Sequence, residues 1–115
     1  MNIDQYLVGK LAERMWRESA THPEAIAIGC ALRNRVQDGL LSWHQVAMES
    51  AGETHREVTD PRDPEFLKCL WAAEDVYCGR QADIVAGAAW WIRLLRHGQV
   101  PAATVGTLRF YRTAS

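Results

Sequence analysis

From Ala25 to Leu32 the chain reads Ala-Ile-Ala-Ile-Gly-Cys-Ala-Leu, without a polar position on any side. A helix that is apolar all round has no face to turn to water, so the rest of the chain must enclose it. Thr21-His22-Pro23-Glu24 introduces this stretch in the form of a capping box: the Thr21 hydroxyl caps free amides, Glu24 reaches back, and Pro23 sits where no donor is needed. Ala27, Gly29 and Ala31 let neighbouring backbones approach closely. Arg33-Asn34-Arg35 is expected to return the helix to solvent, with its charge near the C-terminal end of the dipole. Asp38-Gly39 then stops it. The expectation is a central buried helix over residues 22 to 37.

The preceding segment carries Leu7, Leu11, Met15 and Glu18 at helical spacing, which predicts a helix over residues 3 to 18 and puts an acid on or beside its apolar face. Burial disfavours a charged carboxylate, and an acid that keeps its proton near neutral pH can protonate a leaving group. Arg14, four residues earlier, is the partner Glu18 takes if it is only a helix-terminal acid.

Ser42-Trp43-His44-Gln45 forms a second capping box and opens a short helix that runs to Glu49. The polar connection from Ser50 to Arg62 holds Gly52, Glu53, His55, Arg56, Glu57, Thr59, Asp60 and Pro61. Connections of that length are commonly functional. With Glu18 at a cleft, its second wall is expected here. Asp63-Pro64 starts a helix with an apolar stripe of Phe66, Leu67, Leu70, Trp71, Ala73 and Tyr77, and Gly79 ends it. Asp83 to Arg96 places Ile84, Val85, Ala88, Trp91, Ile92 and Leu95 in a mostly helical pattern, on which Trp90 and Trp91 point apart and one is exposed. Thr104 to Arg112 alternates enough for a short strand or an extended segment. The fold class expected is mainly α, a single domain over residues 1 to 115 with a central buried helix and a short C-terminal strand.

Composition narrows the function. With 48% hydrophobic and 23% charged residues the chain is not a disordered one. A net charge of −1 and the lack of a basic stripe argue against a nucleic-acid partner. No 18-residue apolar run is present, and Met1-Asn2-Ile3-Asp4-Gln5 is not a leader, so the chain as encoded is expected to be cytoplasmic with no membrane partner. Cys30, Cys69 and Cys78 are odd in number and lack CxxC spacing, which reads as buried free thiols. His22, His44, His55 and His97 are scattered, no HExxH or Cys/His spacing occurs, and the glycines form no phosphate loop; no metal or cofactor is expected. Five tryptophans are many for so short a chain. Aromatic faces stack on sugar rings, and Trp16, close to Glu18, and one of Trp90 and Trp91 are the candidate contacts.

A helix ending in Glu18-Ser19, a short turn, and a buried helix closing on Asn34-Arg35-Val36 resembles the catalytic half of the bacterial cell-wall hydrolases of the spore-cortex-lytic type. Asp63 to Gly79 resembles a later helix of that family, and Val105-Gly106 with Phe110-Tyr111-Arg112 its closing segment. The family is similar to a compact lysozyme or lytic transglycosylase. The resemblance therefore implies a lysozyme-like fold, peptidoglycan glycan strands as substrate and Glu18 as the catalytic acid. The substrate contacts expected are Ser19, beside that acid, with Trp16, Glu53, Trp90, Trp91 and Tyr111. Lytic transglycosylases need one acid, because the sugar's own groups close a 1,6-anhydro product. Glu53, Glu57 and Asp60 are the loop acids that could supply a hydrolytic partner. Two departures stand out: the turn after Glu18 is shorter, and Gly87-Ala88-Ala89-Trp90-Trp91 replaces a Gly-Ala-Thr-His-type segment. A wall enzyme without a leader would be a clipped mature form, or would leave by lysis, in a phage particle or through a dedicated secretion machine. The alternative is an inactive, lysozyme-like binding or assembly module of such a particle.

Overall fold

Helix α2 (His22–Gln37) lies at the centre, with Ala25, Ala27, Ile28, Cys30, Ala31 and Leu32 fully enclosed. The structure, a computed structural model, describes residues 4–49, 54–93 and 98–113. Around α2 pack α1 (Gln5–Arg17) and α4 (Pro64–Tyr77), which also pack on each other, while α3 (Trp43–Met48) lies against α1. The three long helices converge where α2 has no side chain. A Cβ on Gly29 would stand 2.9 Å from Met15 Sδ of α1 and 3.1 Å from Val76 Cγ2 of α4. One contiguous apolar cluster joins these helices to Val85, Ala88, Leu108 and Phe110 of the C-terminal part.

The helix starts follow from local chemistry. Asp63 caps α4 through Glu65 N (2.9 Å), and in α3 the Ser42 hydroxyl accepts from Gln45 N (3.1 Å) while Gln45 Oε1 accepts from Ser42 N (2.8 Å). Both halves of that box are closed. The box ahead of α2 is different. Thr21 Oγ1 accepts from Glu24 N at 3.4 Å, but Glu24 reaches past the cap to Ala20 N at 2.7 Å.

Arg33-Asn34-Arg35 is buried, contrary to the expectation that it meets solvent. Arg33 Nη1 donates to Gln81 O (2.6 Å), Asn34 Nδ2 to Ala88 O (2.8 Å), and Arg35 Nε to Ala89 O (2.6 Å). These donors hold residues 81–89 in irregular form. Asp83 accepts from Val85 N and Gly87 N, and Ala86 and Gly87 both take positive φ, at 53° and 79°. A backbone held this way cannot run its own helical ladder. The helix expected over Asp83 to Arg96 is therefore absent from its described part. Trp90, Trp91 and Ile92, good strand residues, form β1 (Trp90–Ile92) instead; Leu94, Leu95 and Arg96 lie outside the described residues.

The C-terminal strand forms and has partners. β2 (Ala103–Val105) and β3 (Leu108–Tyr111) make a hairpin whose turn, Gly106-Thr107, has Gly106 at φ 59°. The sheet is antiparallel in the order β1-β3-β2, with Trp91 opposite Phe110. The molecule is thus mainly α with a small sheet. Cys30 and Cys69 are buried free thiols, and burial pushes the Cys69 thiol up to about 12. Among the described residues no helix is long and apolar enough to cross a membrane.

Candidate functional site

Glu18 is the C-cap of α1 and continues the buried stripe of Leu7, Leu11 and Met15, so the helical spacing carries its side chain inward. It is 7% exposed. Its Oε2 accepts from Arg14 Nε at 2.8 Å, the i−4 pair the sequence allows. The carboxylate lines a cavity of about 260 Å³ together with Arg14, Arg35, Leu108 and the β1 side of the sheet: Trp91, Ile92 and Arg93. Among the described residues the second wall of the cleft is therefore β1, not the polar connection after α3. That connection, in its described part, closes the end of α1: His55 N and Arg56 N donate to Arg17 O, and Arg56 Nε donates to Trp16 O.

Three guanidiniums face this cleft. Arg14, 8% exposed, also places Nη1 3.3 Å from Glu49 Oε2, and Nη1 makes no hydrogen bond. Arg35 stacks over Trp90 at 4.1 Å and Trp91 at 4.8 Å from the ring centroids, and its Nη1 lies 3.9 Å from Glu49 Oε1. Burial and then the nearby Arg14 charge push its pKa down, while Glu49 and Glu18 oppose them. Arg93 donates from Nη2 to the Glu18 carbonyl at 2.7 Å and from Nη1 to Thr107 Oγ1 at 2.6 Å. It thereby ties the end of α1 to the hairpin turn.

Beneath the hairpin turn lies Glu24, 1% exposed, with Oε2 accepting from Thr107 N (2.8 Å) and Thr107 Oγ1 (2.9 Å), and Oε1 3.7 Å from Arg93 Nη1. Burial raises its pKa, but the hydrogen bonds from Thr107 and Ala20 and the Arg93 charge outweigh it and hold the carboxyl below its ordinary value. Gly106 completes the fit, since a Cβ there would overlap the Glu24 carboxylate.

The residues expected at the site divide into two groups. Glu18 and Trp91 line the cleft, and Trp90 flanks it with one ring face covered by Arg35. Ser19 is fully buried; its hydroxyl donates to Trp16 O (3.1 Å) and accepts from Arg56 Nη2 (3.1 Å), so it does not line the cleft. Trp16 does not either. Its ring is covered by the Arg56 guanidinium at 3.5 Å and meets Phe66 edge-on at 5.4 Å, and its Nε1 donates to Glu57 O. With the ring only 9% exposed, little of it is left for a sugar. Tyr111 is buried in β3 and borders a separate cavity with Gln99 and Arg112. Glu53 lies outside the described residues. Glu57 is exposed and 3.7 Å from Arg17, and Asp60 caps Arg62 N at 2.9 Å; neither lines the cleft. Sequence reasoning missed Arg35 and Arg93 as linings of the cleft, and Glu49 and Glu24 as the acids paired with its arginines. Only Arg35 had a signal, its place in the Asn-Arg-Val closing of α2.

Comparison of the chain with protein families, with curated proteins and with solved structures finds no match.

Proposed function

We propose that this domain cleaves peptidoglycan glycan strands, in the manner of a lytic transglycosylase or a muramidase, on a small lysozyme-like fold with Glu18 as the proton donor. The observation that carries the reading is the position of the Glu18 carboxylate: it comes off the buried face of α1 into a cleft that Trp91 also lines, with the Arg14 and Arg35 guanidiniums 5.6 Å and 4.8 Å from the centre of that ring. An aromatic ring in one cleft with a carboxyl group suits a pyranose ring with its glycosidic oxygen near the acid. Proton donation falls to Oε1, because the Arg14 Nε–H occupies Oε2. The Glu18–Arg14 pair favours the second reading, a module of a phage or secretion particle that keeps the fold without the activity.

Incubation with purified peptidoglycan, followed by mass analysis of released fragments, tests the proposal. The wild type should release glycan fragments, and Glu18→Gln should abolish turnover while keeping the fold, because it preserves shape and removes the donor. Wild-type-like cleavage by that variant refutes the role of Glu18. Wall binding without any fragments from the wild type favours the assembly module.

A further inference from the structure

We infer that the Glu18 cleft holds a subsite for a sugar carboxylate between Arg35 and Arg93, and that the strands it takes carry free lactyl groups stripped of stem peptides, an inference that takes the glycan itself from the proposed function. The charges in the cleft do not balance. Arg14, Arg35 and Arg93 line it, and Glu18 is the one acid among its described lining residues. The other two acids paired with these arginines stand outside the lining: Glu49 borders the groove between α1 and α3, and Glu24 lies beneath the hairpin turn.

Among the described residues only Arg14 of the three donates a hydrogen bond to a carboxylate. Arg35 donates to Ala89 O, and Arg93 to Glu18 O and Thr107 Oγ1, all of them neutral oxygens. The acids paired with these two lie at 3.9 Å and 3.7 Å, beyond hydrogen-bond reach. Arg93 is also the most open of the three, its side chain 19% exposed against 9% for Arg14 and 8% for Arg35. Proton donation widens the imbalance. While Glu18 holds the proton it is to give, the lining has three cations and no anion, and a carboxylate on the ligand restores one.

Size selects the kind of carboxylate. The cavity, about 260 Å³, is smaller than the roughly 300–1,000 Å³ of pockets that enclose drug-sized ligands, so it suits one sugar ring with a short substituent and not a peptide of several residues. The lactyl ether of muramic acid is such a substituent. With a stem peptide attached its carboxyl is a neutral amide; with the peptide removed it is an anion. The reaction that supplies this substrate is therefore hydrolysis of the amide bond between lactyl group and peptide, which consumes one water and leaves the lactyl carboxylate.

Two disaccharides of N-acetylglucosamine linked to N-acetylmuramic acid, one with the free lactyl acid and one with its primary amide, test the subsite by calorimetric titration of the wild-type protein. Neither contains the bond from muramic acid to a following sugar that the proposed reaction breaks. The acid should bind at least about tenfold tighter, the low end for a hydrogen bond to a charged group, and the gap should shrink as salt rises. Arg93→Gln, with its fold checked by thermal unfolding, should bring the two within a few-fold. Glycan pretreated with an amidase should be cleaved faster than peptide-bearing glycan. No binding, equal binding of acid and amide by the wild type, or a folded Arg93→Gln that keeps the full preference, overturns the subsite and leaves the role of Glu18 standing. Faster cleavage of peptide-bearing glycan overturns the stripped strand as substrate. Tighter binding of the acid with no cleavage of either glycan upholds the subsite and overturns the proposed activity.

Discussion

Replacement of Glu24 by Gln keeps the side chain's shape and changes one oxygen into an NH₂ group. If the NH₂ turns toward Thr107, the amide of Thr107 loses its acceptor; if it turns toward Ala20, that amide loses its acceptor and Arg93 faces a donor. One orphaned buried amide costs about 1–3 kcal/mol, and the surviving bonds fall from charge-assisted to neutral strength. The expected loss is about 2–4 kcal/mol. For a domain of this length that lowers Tm by about 10–20 °C. The pH dependence has a definite sign. The Glu24 carboxyl is held below its ordinary value, so its contribution is complete above the unfolded pKa of about 4.3 and is lost as pH falls through the lower folded value. The variant has no such contribution at any pH. Thermal unfolding of both proteins at pH 7, 5 and 3 should therefore show a wide gap that narrows at the acid end. A gap that stays constant with pH, or equal Tm values at pH 7, refutes the account of Glu24 as a buried anion.

Gly29→Leu should lower stability by about 1–3 kcal/mol or more, since even a Cβ at that position meets Met15 and Val76 at 2.9 Å and 3.1 Å; unchanged urea unfolding would contradict the convergence of the three helices. A thiol-titrating disulfide reagent should modify at most Cys78 in the native protein, with Cys30 and Cys69 reacting only after unfolding. Fast native reaction of all three thiols would show that the core around α2 and α4 is open.

Where an element is specified by its own caps and stripe, the sequence was sufficient. Thr21 and Pro23, Ser42 and Gln45, and Asp63 and Pro64 mark three helix starts correctly, and the spacing of Leu7, Leu11, Met15 and Glu18 puts the acid inside. Residues 83–92 failed the same treatment. Their apolar spacing fits a helix, but the contacts that decide their form come from Arg33, Asn34 and Arg35, about fifty positions away in the chain. No local pattern records those contacts. The polar connection after α3 misled for a related reason: Arg56 spends its donors on the carbonyl of Trp16 and the hydroxyl of Ser19, which a reading of loop length cannot anticipate.

The buried arginines share a physical cause that also explains how the cleft is held open. Arg14, Arg33 and Arg35 look like solvated charges in the sequence, yet all three are buried. A buried guanidinium is tolerated only where acceptors or counter-charges replace its water. The irregular segment 81–89 offers such acceptors in its unpaired carbonyls, and α1 and α3 offer Glu18 and Glu49. The need runs both ways: the segment's carbonyls require donors and the arginines require acceptors. Arg35 joins the two halves, since it donates to Ala89 just before β1 and stacks on both tryptophans of that strand. The strand that walls the Glu18 cleft is thus positioned by the charged end of the most buried helix. An apolar residue at position 35 would leave the Ala89 carbonyl without that donor, the Trp90 ring without its stacked cation and the Trp91 ring with Arg14 alone, so the fold's central helix and the geometry of the site are not separable.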